Sequence, residues 1–302
     1  METGQLDISL LEEIEAHSVH IAREAGRIVL DYFNKPLEVT FKGEEKKDPV
    51  TTADLRSEEY LKTAIAEKYP RHNILSEEGG RINTGDSPFV WVLDPLDGTS
   101  NFMNGMPLFA VSIGVLWNGK PVAGSIFVPV GHNAKAGVYH ACLGKGAFFD
   151  DEKLEVPREI PGRRLAGNPF RLGRPSRFGG KSKREPHEGR NLGSIALEMA
   201  LTACGVFNFT LFGGPKLWDA AAGALLVSEA GGVVFTRPPK SKTWQPLERF
   251  EVAQNNDSEE LENLSKWSTP LVVGAPEIAQ SVVEDFKVPF KPFSRIFPTR
   301  RR

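Results

Sequence analysis

The chain has 302 residues, 40% of them apolar and 25% charged, with a formal net charge of −2. That balance suits a globular protein with one large core or two closely packed ones, and it excludes a disordered or fibrous chain. The charge gives no electrostatic case for nucleic acid or a membrane surface, and no apolar run is long enough to cross a bilayer.

The first residues are acidic and amphipathic, without the basic flank and apolar centre of a signal peptide, so a cytoplasmic location is expected. Leu10 to Phe33 carries Leu11, Ile14, Val19, Ile21, Ala22, Ala25, Ile28, Val29 and Tyr32 at helical spacing and is stopped by Asn34 and Pro36. Leu37 to Phe41 alternates like a strand. A charged connector follows, holding Lys42, Lys46, Lys47 and Asp48. Asp54 to Tyr69 returns to helical spacing through Leu55, Tyr60, Leu61, Ala64 and Ile65, and reads as a surface helix capped by Thr52 or Asp54. Asn73 to Leu75 is a short strand running into Ser76-Glu77-Glu78-Gly79-Gly80.

Phe89 to Leu93 reads as a buried strand that ends at Asp94-Pro95-Leu96-Asp97-Gly98. Proline forces its predecessor into an extended state, glycine permits a sharp turn, and Thr99 and Ser100 then open a helix. Two acids are thereby delivered at the carboxyl end of a strand, where ligands of α/β sheets tend to bind. Phe109–Trp117 and Val122–Val128 form a hairpin at Asn118-Gly119, and Ala136–Ala141 and Ala147–Phe149 continue the β pattern. Asn168 to Arg190 is polar and irregular. Leu192–Ala203 is helical, Val206–Leu211 a strand, Trp218–Ala230 an Ala-rich helix closed by Gly231-Gly232, and Val233–Phe235 a strand. After an acidic, weakly patterned stretch, Leu271–Val273 is a last strand and Pro276–Phe286 a last helix. Cys142 and Cys204 read as reduced core thiols. The expected organisation is an α+β part over 1–190, an α/β part over 191–286 and a basic tail over 287–302, all in one compact unit.

Asp54, Glu77, Asp94, Asp97 and Asp219 all stand at element ends. Singly, Asp54 and Asp219 read as helix caps and Glu77 as a turn residue. The Asp94/Asp97 pair resists such a reading, because two acids beside a buried strand repel each other unless a cation or proton joins them. An all-oxygen donor set suits Mg²⁺, whereas the histidines and cysteines show no zinc spacing.

Asp94–Phe102 (DPLDGTSNF) and Trp218–Gly232 (WDAAAGALLVSEAGG) resemble the two signature motifs of the inositol monophosphatase family, with VTTAD and SEEGG in the matching order. The resemblance spans about residues 10 to 285 and implies a layered αβαβα sugar-phosphatase fold, α+β to α/β in class, that hydrolyses phosphate monoesters with Mg²⁺, is often inhibited by lithium and is often dimeric. It also implies roles. Glu77, Asp94 and the Leu96 carbonyl would hold one magnesium, and Asp94, Asp97 and Asp219 a second, with Glu77 touching a weaker third. Thr99 and Asp54 would orient and deprotonate the attacking water. The Gly98 and Thr99 amides would receive phosphate, Gly193 and Ser194 would form a substrate-side turn, and Lys42 matches a family lysine only with a one-residue insertion.

Ser100-Asn101-Phe102 resembles the inositol branch, so a small polyol or sugar phosphate is the expected partner. Phe212 stands where inositol phosphatases carry a glutamate for ring hydroxyls; it reads as a strand-end core residue or as a sign of altered specificity. Residues 171–190 hold seven basic side chains, read as a solvated loop, as reaching a second phosphate, which keeps fructose-1,6-bisphosphatase as runner-up, or as a nucleic-acid contact, which thin aromatic interleaving disfavours. Histidinol phosphatase, nucleotide 3′-phosphatase and a non-catalytic regulatory protein remain as alternatives.

Overall fold

A computed structural model describes residues 6–36, 39–42, 48–84, 87–157, 165–167, 187–239, 241, 243–251 and 260–285. The tail over 287–302 and most of the basic stretch from 171 lie outside the described residues. Helices and mixed sheets stack in layers, as the motifs imply. The first layer is α1 (Ile8–Tyr32) and α2 (Thr52–Lys68), with the small β1 (Val39–Lys42) and β2 (Asp48–Thr51) ladder beside them. Asp7 caps α1, its carboxylate accepting the Ser9 amide at 2.9 Å. Leu11, Ile14, Ile21, Ala22, Ala25 and Val29 form its buried stripe.

That stripe packs on an eight-stranded sheet of order β10-β9-β8-β7-β6-β5-β3-β4. Its members are β3 (Asn73–Ser76), β4 (Gly80–Ile82), β5 (Phe89–Asp97), β6 (Ala110–Trp117), β7 (Lys120–Val128), β8 (Gly137–Cys142), β9 (Gly146–Phe149) and β10 (Glu152–Leu154). Between β5 and β6 lies the short helix α3 (Thr99–Met103). The other face of the sheet meets α4 (Ile195–Ala203) and α5 (Leu217–Glu229), which bury the largest core. A Cβ on Gly114 would fall 2.6 Å from the Ala221 methyl, so the Ala-rich α5 lies directly on the strands. Beyond α4 and α5 is a six-stranded sheet of order β12-β11-β13-β16-β14-β15. It comprises β11 (Leu165–Gly167), β12 (Glu188–Arg190), β13 (Phe209–Phe212), β14 (Val233–Thr236), β15 (Gln245–Pro246) and β16 (Leu271–Gly274). After α6 (Glu260–Ser265), α7 (Pro276–Asp285) covers its outer face through Ala279 and Val282.

Several expectations shift. The connector before Asp54 includes a strand, β2, because Val50 and Thr51 pair with Val39 and Thr40. The second sheet takes β11 and β12 from before residue 191, and α4 and α5 serve both sheets. Leu55 points to solvent at 50% exposure, while Asp54, Ser57 and Glu58 lie on the buried side of α2. Cys142 and Cys204 are free thiols; Cys142 is buried, as read, and Cys204 only partly so. Among the described residues no helix is long and apolar enough to cross a membrane.

Candidate active site

The central strand does not end at Asp94. β5 runs on through Pro95 and Leu96 to Asp97, buried throughout. In a regular strand, residues three apart face opposite sides of the sheet. Here Asp94 pairs with Ser112 and Asp97 with Ala110, with a register shift between them. The extra residue of this bulge resets the alternation, and proline, which has no ladder donor, is tolerated there. The two carboxylates therefore come together.

Asp219 joins them from the other side. It is the third residue of α5 and accepts the amide of the N-cap Lys216 at 2.8 Å, so the same carboxylate closes the helix end and joins the acidic cluster. Ser112 of β6 donates to the Trp218 carbonyl at 3.1 Å and pins that helix end to the sheet. One oxygen from each of Asp94, Asp97 and Asp219 lies within 4.8 Å of the others. Glu77 follows β3, which runs parallel to β5 with Ser76 beside Leu93. Its amide donates to the Leu93 carbonyl at 3.1 Å, which sets it next to Asp94.

The electrostatics report the crowding. Burial, then the charges of Glu77, Asp97 and Asp219, hold Asp94 far above the usual carboxylate range. Burial, then the charge of Asp97, does the same to Asp219, against the Lys216 amide. Asp97 is pushed up to about 6 by burial, opposed by donors from the start of α4. Each of the three has an oxygen anchored by a backbone amide: Asp94 by Leu96 at 3.0 Å, Asp97 by Ala196 at 2.7 Å and Asp219 by Lys216. The anchors fix the carboxylates but leave their mutual repulsion, which a divalent cation would convert into attraction. The donors are all oxygen, so the cluster fits a hard cation.

Asp54 and Thr99 form the second part. Thr51 is the N-cap of α2, in place of the expected Thr52 or Asp54. Its amide and hydroxyl both donate to Asp54 Oδ2, at 2.8 and 2.5 Å. The Thr99 hydroxyl lies 3.2 Å from Asp54 Oδ1 and 3.0 Å from the Leu96 carbonyl. Burial raises the Asp54 pKa against these hydrogen bonds. Gly98 has a φ of +94°, and a Cβ there would sit 3.0 Å from the Leu108 carbonyl and 3.2 Å from Ser194, so the turn into α3 needs glycine.

The remaining candidates are dispersed in role. Ser194 is 1% exposed and gives its hydroxyl to Asp97 at 2.7 Å. The Gly193 amide donates to Asn191 at 3.1 Å. Phe212, at the end of β13, is buried in the main core, matching its reading as a core residue. Lys42 ends β1, and its side chain lies outside the described residues.

Three polar groups escaped the sequence reading. Glu198 on α4 accepts the Leu192 amide at 2.6 Å, and its pKa is pushed to about 7 by burial and by the charge of Asp97. Ser57 donates to the Pro95 carbonyl at 2.9 Å. Glu58 binds the turn that carries Glu77. The spacing of Asp54, Ser57 and Glu58, at i, i+3 and i+4, is the signal that places them on one helix face.

Residues 10–268 match the family model described as inositol monophosphatase family. Nus factor SuhB of Pasteurella multocida (strain Pm70) is 35% identical over 226 residues, covering 72% of this chain and 82% of that protein. Phosphatase IMPL1, chloroplastic, of Arabidopsis thaliana is 36% identical over 236 residues, covering 74% of this chain and 62% of that protein. Among solved structures, extragenic suppressor protein suhB from Bartonella henselae superposes with a TM-score of 0.71 at 28% identity, covering 91% of this chain and 98% of that one. Inositol monophosphatase from Anabaena (Nostoc) sp. PCC 7120 gives 0.66 at 25% identity, covering 94% and 98%.

Proposed function

The chain belongs to the inositol monophosphatase family, and from that premise we propose that it is a Mg²⁺-dependent phosphoric monoester hydrolase acting on small phosphorylated polyols or sugars, inositol monophosphate foremost. The observation that carries this reading is the convergence of Asp94, Asp97 and Asp219, together with the adjacent Thr99–Asp54 contact.

In this reading Glu77, Asp94 and the Leu96 carbonyl would hold one ion and Asp94, Asp97 and Asp219 another. When bound, such ions neutralise phosphoryl oxygens, acidify a water and stabilise the leaving alkoxide. The chain's own groups do the positioning. Thr99, held by Asp54 and the Leu96 carbonyl, orients the attacking water and relays its proton to Asp54. A buried carboxylate with a raised pKa is suited to accept it. The Gly98 and Thr99 amides receive the phosphate at the start of α3. No covalent intermediate on serine, cysteine or histidine is required, since phosphoryl transfer is governed by placement and charge.

Ser100-Asn101-Phe102 favours an inositol-type ester. Phe212 removes the acidic partner for ring hydroxyls, so discrimination among polyols is expected to be broad. Gly193 and Ser194 are proposed to border the substrate, Ser194 through its backbone because its hydroxyl is committed to Asp97; Lys42 is proposed on the phosphate side. Fructose 1,6-bisphosphate is the runner-up. A cytoplasmic homodimer with a small phosphorylated ligand, rather than nucleic acid, is the form proposed. The relatives named Nus factor raise a regulatory reading, which the complete acid set and the Thr99–Asp54 pair disfavour. Phosphate release from inositol 1-phosphate, fructose 1,6-bisphosphate, histidinol phosphate and adenosine 3′,5′-bisphosphate, with and without Mg²⁺, decides the matter. Mg²⁺-dependent release from the first is expected, and release from none would favour the regulatory reading.

A further inference from the structure

Of the four acids proposed to hold ions, Glu77 is the one carried by a turn; Asp94 and Asp97 are on β5 and Asp219 on α5. That turn is fastened from below by Glu58. Its Oε1 accepts the Ser76 hydroxyl on one side of Glu77 and the Gly79 amide, at 2.6 Å, on the other. Lys62, one helical turn along α2, lies 3.2 Å from the same oxygen. Glu58 is 7% exposed, and a carboxylate so buried is stable only when its oxygens are paired. A Cβ on Gly79 would fall 2.1 Å from Lys62 Nζ and 2.6 Å from Glu58 Oε2, so the turn closes tightly on this pair.

The same helix face holds the other half of the site. Ser57 grips the Pro95 carbonyl between the two aspartates, and Asp54 meets Thr99. One rigid helix thus sets the turn of Glu77 against the bulge of β5 and the start of α3.

We propose that Glu58 is a positioning residue for Glu77: by clamping Ser76 and Gly79 it fixes where Glu77 presents its carboxylate, and so sets the affinity of the divalent-cation site that Glu77 shares with Asp94. The proposal rests on the metal-dependent reading above. Glu58 touches no ion in this scheme and acts through Glu77 alone. Groups that orient a metal ligand typically change metal affinity by about 10- to 100-fold when replaced.

The test is Mn²⁺ binding by isothermal titration calorimetry on the full chain, with thermal unfolding of the metal-free proteins alongside. The variants are Glu58→Ala, Ser76→Ala, Glu77→Gln and the Glu58→Ala/Glu77→Gln double. Glu58→Ala is expected to weaken one binding step about tenfold, and Ser76→Ala to weaken the same step less. The double variant is expected to bind no more weakly than Glu77→Gln, because two residues acting through one ligand are not additive. Wild-type affinity in both Glu58→Ala and Ser76→Ala, or a fully additive double variant, overturns the proposal. Ser76→Ala decides the case if Glu58→Ala does not fold. Absence of Mn²⁺ binding by the wild type would overturn the metal reading and this proposal together, whereas wild-type binding with unmoved variants overturns this proposal alone.

Discussion

Ser194 donates its hydroxyl to Oδ2 of Asp97 at 2.7 Å, and the Ala196 amide meets the same oxygen at 2.7 Å. Asp97 is thus both a proposed ion ligand and an anchor for the start of α4. Ser194 is also the N-cap of that helix, accepting the Leu197 amide at 3.3 Å. Replacing Ser194 by alanine removes a cap and a donor to a carboxylate, and should lower stability by about 1–2 kcal/mol. It should also raise the Asp97 pKa further, since the charged form loses a partner. Mg²⁺ binding measured from pH 5.5 to 8 should then reach half-saturation at higher metal concentration, most clearly at the acidic end. An unchanged pH dependence would count against the coupling.

Asp94 is held between Glu77, Asp97 and Asp219 with its carboxylate buried. In the metal-free protein this crowding opposes folding. Asp94→Asn keeps an acceptor for the Leu96 amide and removes the repelling charge. The metal-free variant should therefore melt a few degrees higher than the metal-free wild type, on the order of 1 kcal/mol or more of added stability. It should also lose the stabilisation that Mg²⁺ gives the wild type, together with phosphate release. Thermal melts of both proteins with and without Mg²⁺ test the pair of effects; a variant less stable than the metal-free wild type would show that repulsion is not what governs this cluster.

The acids of the site were legible because they interrupt the pattern around them. A buried strand that runs into Asp94-Pro95-Leu96-Asp97 has no structural need for two carboxylates, so chemistry was the economical reading. Asp54 and Asp219 are harder, since capping explains each alone; the N-caps are Thr51 and Lys216, and each aspartate is the third residue of its helix, accepting the N-cap amide. The helix face that supports the site is legible only through the i, i+3, i+4 spacing of Asp54, Ser57 and Glu58, and not through apolar periodicity. Ser57 and Glu58 look like solvent-facing polar residues, because hydrophobic periodicity records buried apolar groups and is silent on buried polar ones. Leu55 misled in the same way from the other direction. Strands such as β4, β11, β12 and β15 are two to three residues long and owe their existence to backbone pairing with neighbours, which no local pattern encodes. The bulge in β5 is not legible: proline and glycine read as the end of the strand at Asp94, whereas the continuation to Asp97 and the placing of both acids together depend on the partner strand β6.

Thr99 stands 3.2 Å from Asp54 and 3.0 Å from the Leu96 carbonyl, with one hydroxyl proton to share between them. A water that gives its proton toward Asp54 is best oriented while that geometry holds. Thr99→Ala and Asp54→Asn should each lower kcat by about 10²–10⁴, the usual reach of a positioned acid–base group. The double variant should be little worse than either, as the two act as one unit. Thr99→Ser, which keeps the hydroxyl, should retain most activity. Loss of Mg²⁺ binding in Thr99→Ala, in place of a kcat effect, would reassign Thr99 from the proton path to the ion site.

Glu198 supplies a pH dependence that can be isolated. Its carboxyl is pushed from an ordinary value of 4.5 to about 7 by burial and by the charge of Asp97, against the Leu192 and Gly193 amides. In the fold it holds a proton that the unfolded chain has already released. The stability this contributes is complete below pH 4.5, declines as the pH rises through the interval to 7, and is lost above it. Asp97, pushed up to about 6, acts with the same sign. The metal-free protein should therefore lose stability between pH 4.5 and 8. Glu198→Gln stays neutral throughout and keeps an oxygen for the Leu192 amide. It should flatten the upper part of that decline and leave the variant more stable than wild type at pH 8 by on the order of 3 kcal/mol. The slope that remains in the variant belongs to the aspartates, and saturating Mg²⁺ should remove it by favouring their charged forms. A steeper fall in Glu198→Gln than in the wild type would mean that Glu198 is ionised in the fold and that its charge, partnered by the two amides, stabilises the turn.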